Sequence, residues 1–284
     1  MSQTDRPGLL AIFAHPDDES AATGGTLAHY AKEGFRVRLV CATRGEIGEI
    51  SDPNLASHAN LGEVREQELR DAAAALGISE LTLLDYRDSG MAGTDDNEHP
   101  NALSNAPADD VVATLVGIIR EFKPSVVITF DPSGGYGHPD HIAIHHHTVN
   151  AFKAASDPSL YTDQGEPWSA SRLFYTVFTD RSFATMRESL QKNGVDTSEM
   201  DQWEKEADFW DDNKVDVRMD LSGVADAKWD ALNAHRTQFG ENNIFSSIPV
   251  EEAKAALSTE TFVLAQPAPV SGTQLADLFD GLPS

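Results

Sequence analysis

Four short apolar runs, separated by stretches with helical periodicity, constrain this chain more than any other feature. Residues 9–14 (LLAIFA), 36–43 (RVRLVCAT), 81–86 (LTLLDY) and 125–130 (SVVITF) read as strands. Between them lie GGTLAHYAKEGF, helical to near Gly34, an amphipathic helix over 60–76 stopped by Gly77, and a helix over 108–122 ended by Pro124. Strands alternating with helices predict an α/β fold: a mostly parallel, Rossmann-like sheet covered on both faces. Ligands of such sheets bind beyond the carboxyl ends of the strands, where loops enter helices.

After about residue 165 the pattern changes. Residues 171–178 read as a strand, 181–193 as a helix, KVDVRMDL as an edge strand, 223–238 as a helix and 261–265 as a last short strand. The expected organisation is a catalytic core over 1–165 and an extension over 166–284. The extension packs on the same domain and completes its sheet and pocket. The tail from Ala268 reads as a short helix with frayed ends.

The net charge of −25, from 46 acidic against 21 basic residues, excludes nucleic acid and anionic membrane as partners. The acidic excess is scattered and reads as a solvated surface. Cys41 stands alone, so no internal disulfide forms, and no run approaches the ~20 apolar residues that span a bilayer. The apolar core of the N-terminus is too short for a signal peptide. The expected setting is the cytoplasm, and a homo-oligomer is compatible with all of this.

The first strand runs straight into Ala14-His15-Pro16-Asp17-Asp18-Glu19, and the fourth is followed by Tyr136-Gly137-His138-Pro139-Asp140-His141. Burying unpaired charge is costly, so these groups need partners. One His-Pro-Asp is also what a helix-capping turn looks like; two, each after a parallel strand, are not. His15, Asp18 and His141 form a set of three ligands, as in catalytic zinc sites that keep a fourth position open. Asp17 is left free to accept a proton from water. His138 can donate to a reacting oxygen, Asp140 can hold it in the right tautomer, and Tyr136 offers a phenol. Together these groups suit metal-assisted hydrolysis of an amide. His145, His146 and His147 lie down the following helix and read as packing or surface residues.

The pair AHPDDE and GHPDH resembles the signature of the PIG-L/LmbE-like zinc-dependent deacetylases over at least residues 8–150. RDSGMAGT (Arg87–Thr94), YGHPDH and the chain length resemble the branch that deacetylates N-acetylglucosaminyl-inositol in mycothiol biosynthesis. The resemblance implies a Rossmann-like fold, with zinc (or Fe2+ or Co2+) on His15, Asp18 and His141. It also implies Asp17 as general base and His138 as acid or oxyanion stabiliser, with Asp140 orienting His138 and Tyr136 touching the carbonyl oxygen. Its sugar or inositol contacts fall on Arg65 and Asp88. The implied substrate is a small N-acetylated amino-sugar conjugate. The alternatives are an amidase of thiol-sugar conjugates, a deacetylase of another N-acetyl sugar, or a non-catalytic sugar- or nucleotide-binding module. A binder has no use for the spare base Asp17.

Overall fold

The computed structural model describes residues 6–198, 200–201, 204, 209–241, 243–268 and 275–283. Five parallel strands form in the order the apolar runs predict: β1 (Gly8–Phe13), β2 (Arg36–Thr43), β3 (Glu80–Tyr86), β4 (Val126–Phe130) and β5 (Arg172–Val177). Two more extend the same sheet: β7 (Thr259–Gln266) pairs antiparallel with β5, and β6 (Val217–Asp220) pairs antiparallel with β7 at the edge. The order is β3-β2-β1-β4-β5-β7-β6. The central strands β1 (GLLAIF) and β4 (VVITF) are buried along their whole length, whereas the edge strand β3 is only half-buried. Uniformly apolar runs in the centre are what a sheet covered on both faces demands.

The connecting helices are α1 (Asp18–Lys32), α2 (Leu61–Leu76), α3 (Ala108–Phe122), a single turn α4 (Gly134–Gly137) and α5 (Pro139–Ala154). The later ones are α6 (Asp180–Lys192), α7 (Ala225–Ala234), α8 (Arg236–Phe239) and α9 (Val250–Ala256). Helices α1 and α2 pack with α7, and α3 packs with α5, so the helices fall into two layers. Among the described residues no helix is long and apolar enough to cross a membrane.

From β1 the chain steps to β2 on one side, and the next neighbour on the other side is β4. Strand order therefore reverses between β1 and β4, and the crevice at their carboxyl ends is where such a sheet admits a ligand. The edge of Phe13 against Phe130, with ring centroids 5.0 Å apart, forms the apolar floor there. A second, smaller core joins Phe183, Leu190, Met200, Phe245, Ile248 and Ala253 in the later part of the chain.

Four elements differ from the sequence reading. Helix α1 begins at Asp18, before the Gly-Gly pair, so the carboxylates of Asp18 and Glu19 occupy its first turn, where the helix dipole favours negative charge. The helix expected over 223–238 is broken at His235 (φ −79°, ψ 59°) into α7 and α8. Helix α9 was not foreseen; it is one short run after Pro249. The helix expected in the tail is not formed over 275–283, which turns instead, with Leu278 buried; residues 269–274 lie outside the described residues.

Candidate active site

Both His-Pro-Asp turns reach the same crevice. His141 comes from 126 residues along the chain to meet His15 and Asp18, and the three bring donor atoms together. His15 Nδ1 lies 3.1 Å from His141 Nε2. Asp18 has Oδ2 3.7 Å from His15 Nδ1 and Oδ1 3.4 Å from His141 Nε2. Donors about 2.1 Å from one ion at tetrahedral angles stand roughly 3.4 Å apart, so these separations fit a single divalent ion.

The tautomers make the same point. His141 Nδ1 lies 3.0 Å from the Gly134 carbonyl, which can only accept, so the proton is on Nδ1 and Nε2 presents a lone pair. Gly134 can come this close because a Cβ on it would lie 2.7 Å from that of His141. His15 Nε2 lies 3.1 Å from Asp140 Oδ2, which leaves Nδ1 the inward lone pair. Two imidazole lone pairs and a carboxylate thus face one another, and they need a cation between them. The carboxylates draw positive charge into the cluster: burial opposes a positive His15, but its hydrogen bonds to Asp140 and Asp88 and the charge of Asp18 outweigh burial and push its pKa well up. Burial and the charge of His15 push His141 down to about 3. A histidine held by a carboxylate or carbonyl on its far nitrogen is the usual support for a metal ligand.

Asp140 is therefore not where it was expected. Its carboxylate orients His15, not His138, and is itself held by the Ser89 backbone N–H at 2.9 Å and the Ser89 hydroxyl. What fixes His138 is the Asp140 backbone, whose N–H donates to His138 Nδ1 at 3.2 Å. His138 is the N-cap of α5, and this capping bond leaves its proton on Nε2. Burial, then the charges of His15 and His141, lower the His138 pKa to about 4, so it is a neutral donor. His138 also lies close enough to His15 and His141 for all three to offer nitrogens within 4.8 Å of one another.

Asp17 occupies the strand-to-helix turn with φ 113°, a left-handed conformation that a residue with a Cβ holds only under constraint. Its carboxylate keeps some exposure (32%) and meets Arg65 Nη2 at 3.2 Å. Burial raises its pKa to about 6, against the lowering charge of Arg65. Tyr136, on the α4 turn, is 62% exposed and sets its ring edge toward His141, centroids 5.0 Å apart.

Arg65 and Asp88 are placed differently from their expected contact with the far end of a substrate. Arg65 is buried, and donates to the Gly45 and Pro16 carbonyls at 2.8 and 2.5 Å as well as to Asp17. The loop after β2 closes over it, which an amphipathic helical pattern does not reveal. Asp88 accepts from the Gly90 N–H at 2.8 Å and lies 3.6 Å from His15 Nε2. Neither lines the cleft of about 530 Å³ that opens from Asp18 and His141 past Tyr136. That cleft runs between β5, α6 and the start of β7, along Phe178, Arg181, Ser182, Met186 and Arg218. Ser89, Glu19 and His235 also serve the site and were not singled out from sequence. Glu19 stands inside the first motif, but its partner His235 lay in what read as continuous helix. His145 donates its Nδ1 proton to the Phe130 carbonyl at 2.8 Å, and His147 is buried while His146 is exposed, as packing and surface roles require.

The PIG-L (GlcNAc-PI de-N-acetylase) family matches residues 10–152. The 1D-myo-inositol 2-acetamido-2-deoxy-alpha-D-glucopyranoside deacetylase of Streptomyces scabiei is 38% identical over 289 residues, 97% of this chain and 90% of its own. The enzyme of the same name from Thermobifida fusca is 43% identical over 242 residues, 81% of this chain and 82% of its own. Among solved structures, N,N'-diacetylchitobiose deacetylase from Pyrococcus horikoshii has a TM-score of 0.63 at 21% identity, over 92% of this chain and 84% of its own. GalB, the 4-carboxy-2-hydroxymuconate hydratase of Pseudomonas putida KT2440, has 0.61 at 18%, over 93% of this chain and 98% of its own. The last two show a shared fold alone, which hosts unlike reactions. The family match and the full-length relatives decide the question: the chain belongs to the PIG-L family of de-N-acetylases.

Proposed function

We propose that the chain hydrolyses the N-acetyl amide of a glucosamine–inositol conjugate, releasing acetate and the free amine. Zinc is the ion we assign to His15 Nδ1, Asp18 and His141 Nε2. The family and the relatives at 36–43% identity make the chain a hydrolase of the N-deacetylase class. The names of those relatives support the inositol conjugate as substrate. The observation that carries the reading is the pair of inward imidazole nitrogens facing the Asp18 carboxylate, with the neighbouring Asp17 paired to Arg65 and not needed as a donor.

A divalent ion bound there supplies Lewis-acid stabilisation of negative charge on oxygen. The protein's own groups do the rest. Asp17 takes the proton of the attacking water, and a pKa near 6 suits a base that must be ionised yet still accept a proton near neutral pH. As a C–O bond forms, negative charge gathers on the carbonyl oxygen. His138 donates its Nε2 proton to that oxygen as a neutral hydrogen bond, and the Tyr136 hydroxyl adds a second. The amide C–N bond then breaks, and the proton held by Asp17 passes to the leaving nitrogen. Arg65 keeps the Asp17 carboxylate turned to the crevice, and Asp140 keeps His15 turned to its partners. The group beyond the sugar lies along the cleft, where Arg181, Ser182 and Arg218 offer donors to hydroxyls.

The test is amine release from N-acetylglucosaminyl-inositol, free N-acetylglucosamine and a thiol-conjugate amide, with zinc added back to chelated enzyme. The reading predicts zinc-dependent release, at least about tenfold better in kcat/KM for the inositol conjugate than for the free sugar, since binding of the distal group contributes to the transition state. Faster cleavage of the thiol conjugate would make the chain an amidase instead. Amine release from none of the three would defeat the reading.

A further inference from the structure

Three consecutive carboxylates share the strand-to-helix turn, and each meets a different positive or cation-seeking group. Asp17 has Arg65 at 3.2 Å. Asp18 faces the two inward imidazole nitrogens. Glu19, only 1% exposed, has His235 Nε2 at 2.7 Å. Glu19 lies outside the cleft and is not among the donors assigned to the ion, yet both its oxygens are in use. Oε1 accepts from the Ser20 hydroxyl at 2.5 Å and from His235, and Oε2 accepts from the Asp17 backbone N–H at 3.1 Å. That last bond falls on the residue whose backbone stands at φ 113°.

Glu19 is held in turn from the far end of the chain. His235 is fully buried at the break between α7 and α8. The segment after it is locked to α2 and to the loop before α2. Thr237 donates its N–H and its hydroxyl to the two Glu68 oxygens at 2.9 and 2.6 Å, and the Ser51 hydroxyl donates to the Arg236 carbonyl at 2.8 Å. Glu68 lies three residues after Arg65 on α2. One helix therefore reaches the Asp17 side chain directly through Arg65, and the Asp17 backbone indirectly through Thr237, His235 and Glu19.

We infer that His235, acting through Glu19, is a positioning residue for Asp17, a role that rests on Asp17 serving as the base proposed above. His235 lines no part of the cleft and touches none of His15, Asp18 and His141. It gives its Nε2 proton to Glu19, and Glu19 pins the Asp17 N–H and so the angle at which the carboxylate enters the crevice. A base displaced by about 1 Å loses on the order of 10²-fold in rate while leaving substrate binding largely alone. His235 Nδ1 has no protein partner among the described residues, so Nε2 makes the contact to Glu19 that the variants below test.

The experiment compares His235→Gln with His235→Asn. The glutamine amide can place a donor where Nε2 lies; the asparagine amide stops one methylene short. kcat, KM, zinc per chain and unfolding temperature are measured for both, with N-acetylglucosaminyl-inositol as substrate. His235→Gln is expected to keep kcat within about threefold, and His235→Asn to lose about 10- to 100-fold in kcat with KM within about threefold and zinc unchanged. Glu19→Gln, which turns one acceptor into a donor, approaches the same contact from the other side and is expected to show the same loss confined to kcat. Wild-type kcat in His235→Asn or Glu19→Gln overturns the inference. So does an equal fall in both His235 variants that follows a lowered unfolding temperature. Asp17→Asn is measured alongside: if it keeps full turnover the base assignment itself has failed, and if it is impaired while His235→Asn is not, only the relay through Glu19 has failed.

Discussion

The segments after the parallel strands β1 and β4 carry His15, Asp17, Asp18, Tyr136, His138 and His141, whereas the later segment with β6, β7 and α6 to α9 carries the outer cleft wall and the brace behind Asp17. The first region is built around a topological reversal that leaves two loop ends side by side, so a few residues in two short motifs suffice. The second has no such fixed point. It contributes single side chains that reach back to α1: His235 to Glu19, and Glu260, which accepts from the Gly25 and Thr26 N–H groups at 2.8 and 2.9 Å. Chemistry and support are thus separated along the chain, and variants in the two regions should fail differently.

The largest effect is expected at the three donors. His15→Ala, Asp18→Ala and His141→Ala should each lose both the bound ion and turnover, because two remaining donors hold a divalent ion poorly. Elemental analysis of the purified variants beside the wild type checks this; full occupancy in any of them breaks the assignment for that residue. Asp140→Asn comes next. The amide keeps one acceptor oxygen where the carboxylate has two and loses the charge that faces His15, and loss of such support to a ligand typically costs about 10–100-fold in metal affinity. Competition with a chelator measures it, and an unchanged affinity would return Asp140 to the role first expected of it.

A smaller effect separates Arg65 as a partner of Asp17 from Arg65 as a substrate contact. Because Asp17 must be ionised to act, kcat/KM should rise as pH climbs through about 6. The Arg65 charge lowers the Asp17 pKa, so Arg65→Gln should move that acid limb to higher pH. A limb that stays in place, with only KM raised, would make Arg65 a substrate contact.

The same contrast governs what could be read from the sequence. The strands β1 to β5 were legible because a doubly covered sheet writes itself as uninterrupted apolar runs, LLAIF and SVVITF above all. The meeting of His15, Asp18 and His141 was legible because two short turns at strand ends carry it. What was not legible depends on which way a side chain leaves its turn. Asp140 stands two residues after His138, but α5 aims its carboxylate at His15 and Ser89, and only its backbone reaches His138. Arg65 sits in a pattern that reads as a solvent-facing helix, and the Gly45 carbonyl that buries it comes from 20 residues earlier. His235 was hidden because helical periodicity runs unbroken across a position where the backbone turns.

The central claim is that Asp17 works beside the ion and does not hold it. It is tested most directly by Asp17→Asn, with zinc per chain and amine release from N-acetylglucosaminyl-inositol measured on the same preparation. Asparagine keeps the size but cannot take the proton. The expected result is wild-type zinc content with turnover lowered about 10²- to 10⁴-fold, the usual cost of removing a general base. Wild-type zinc content with wild-type turnover would contradict the claim.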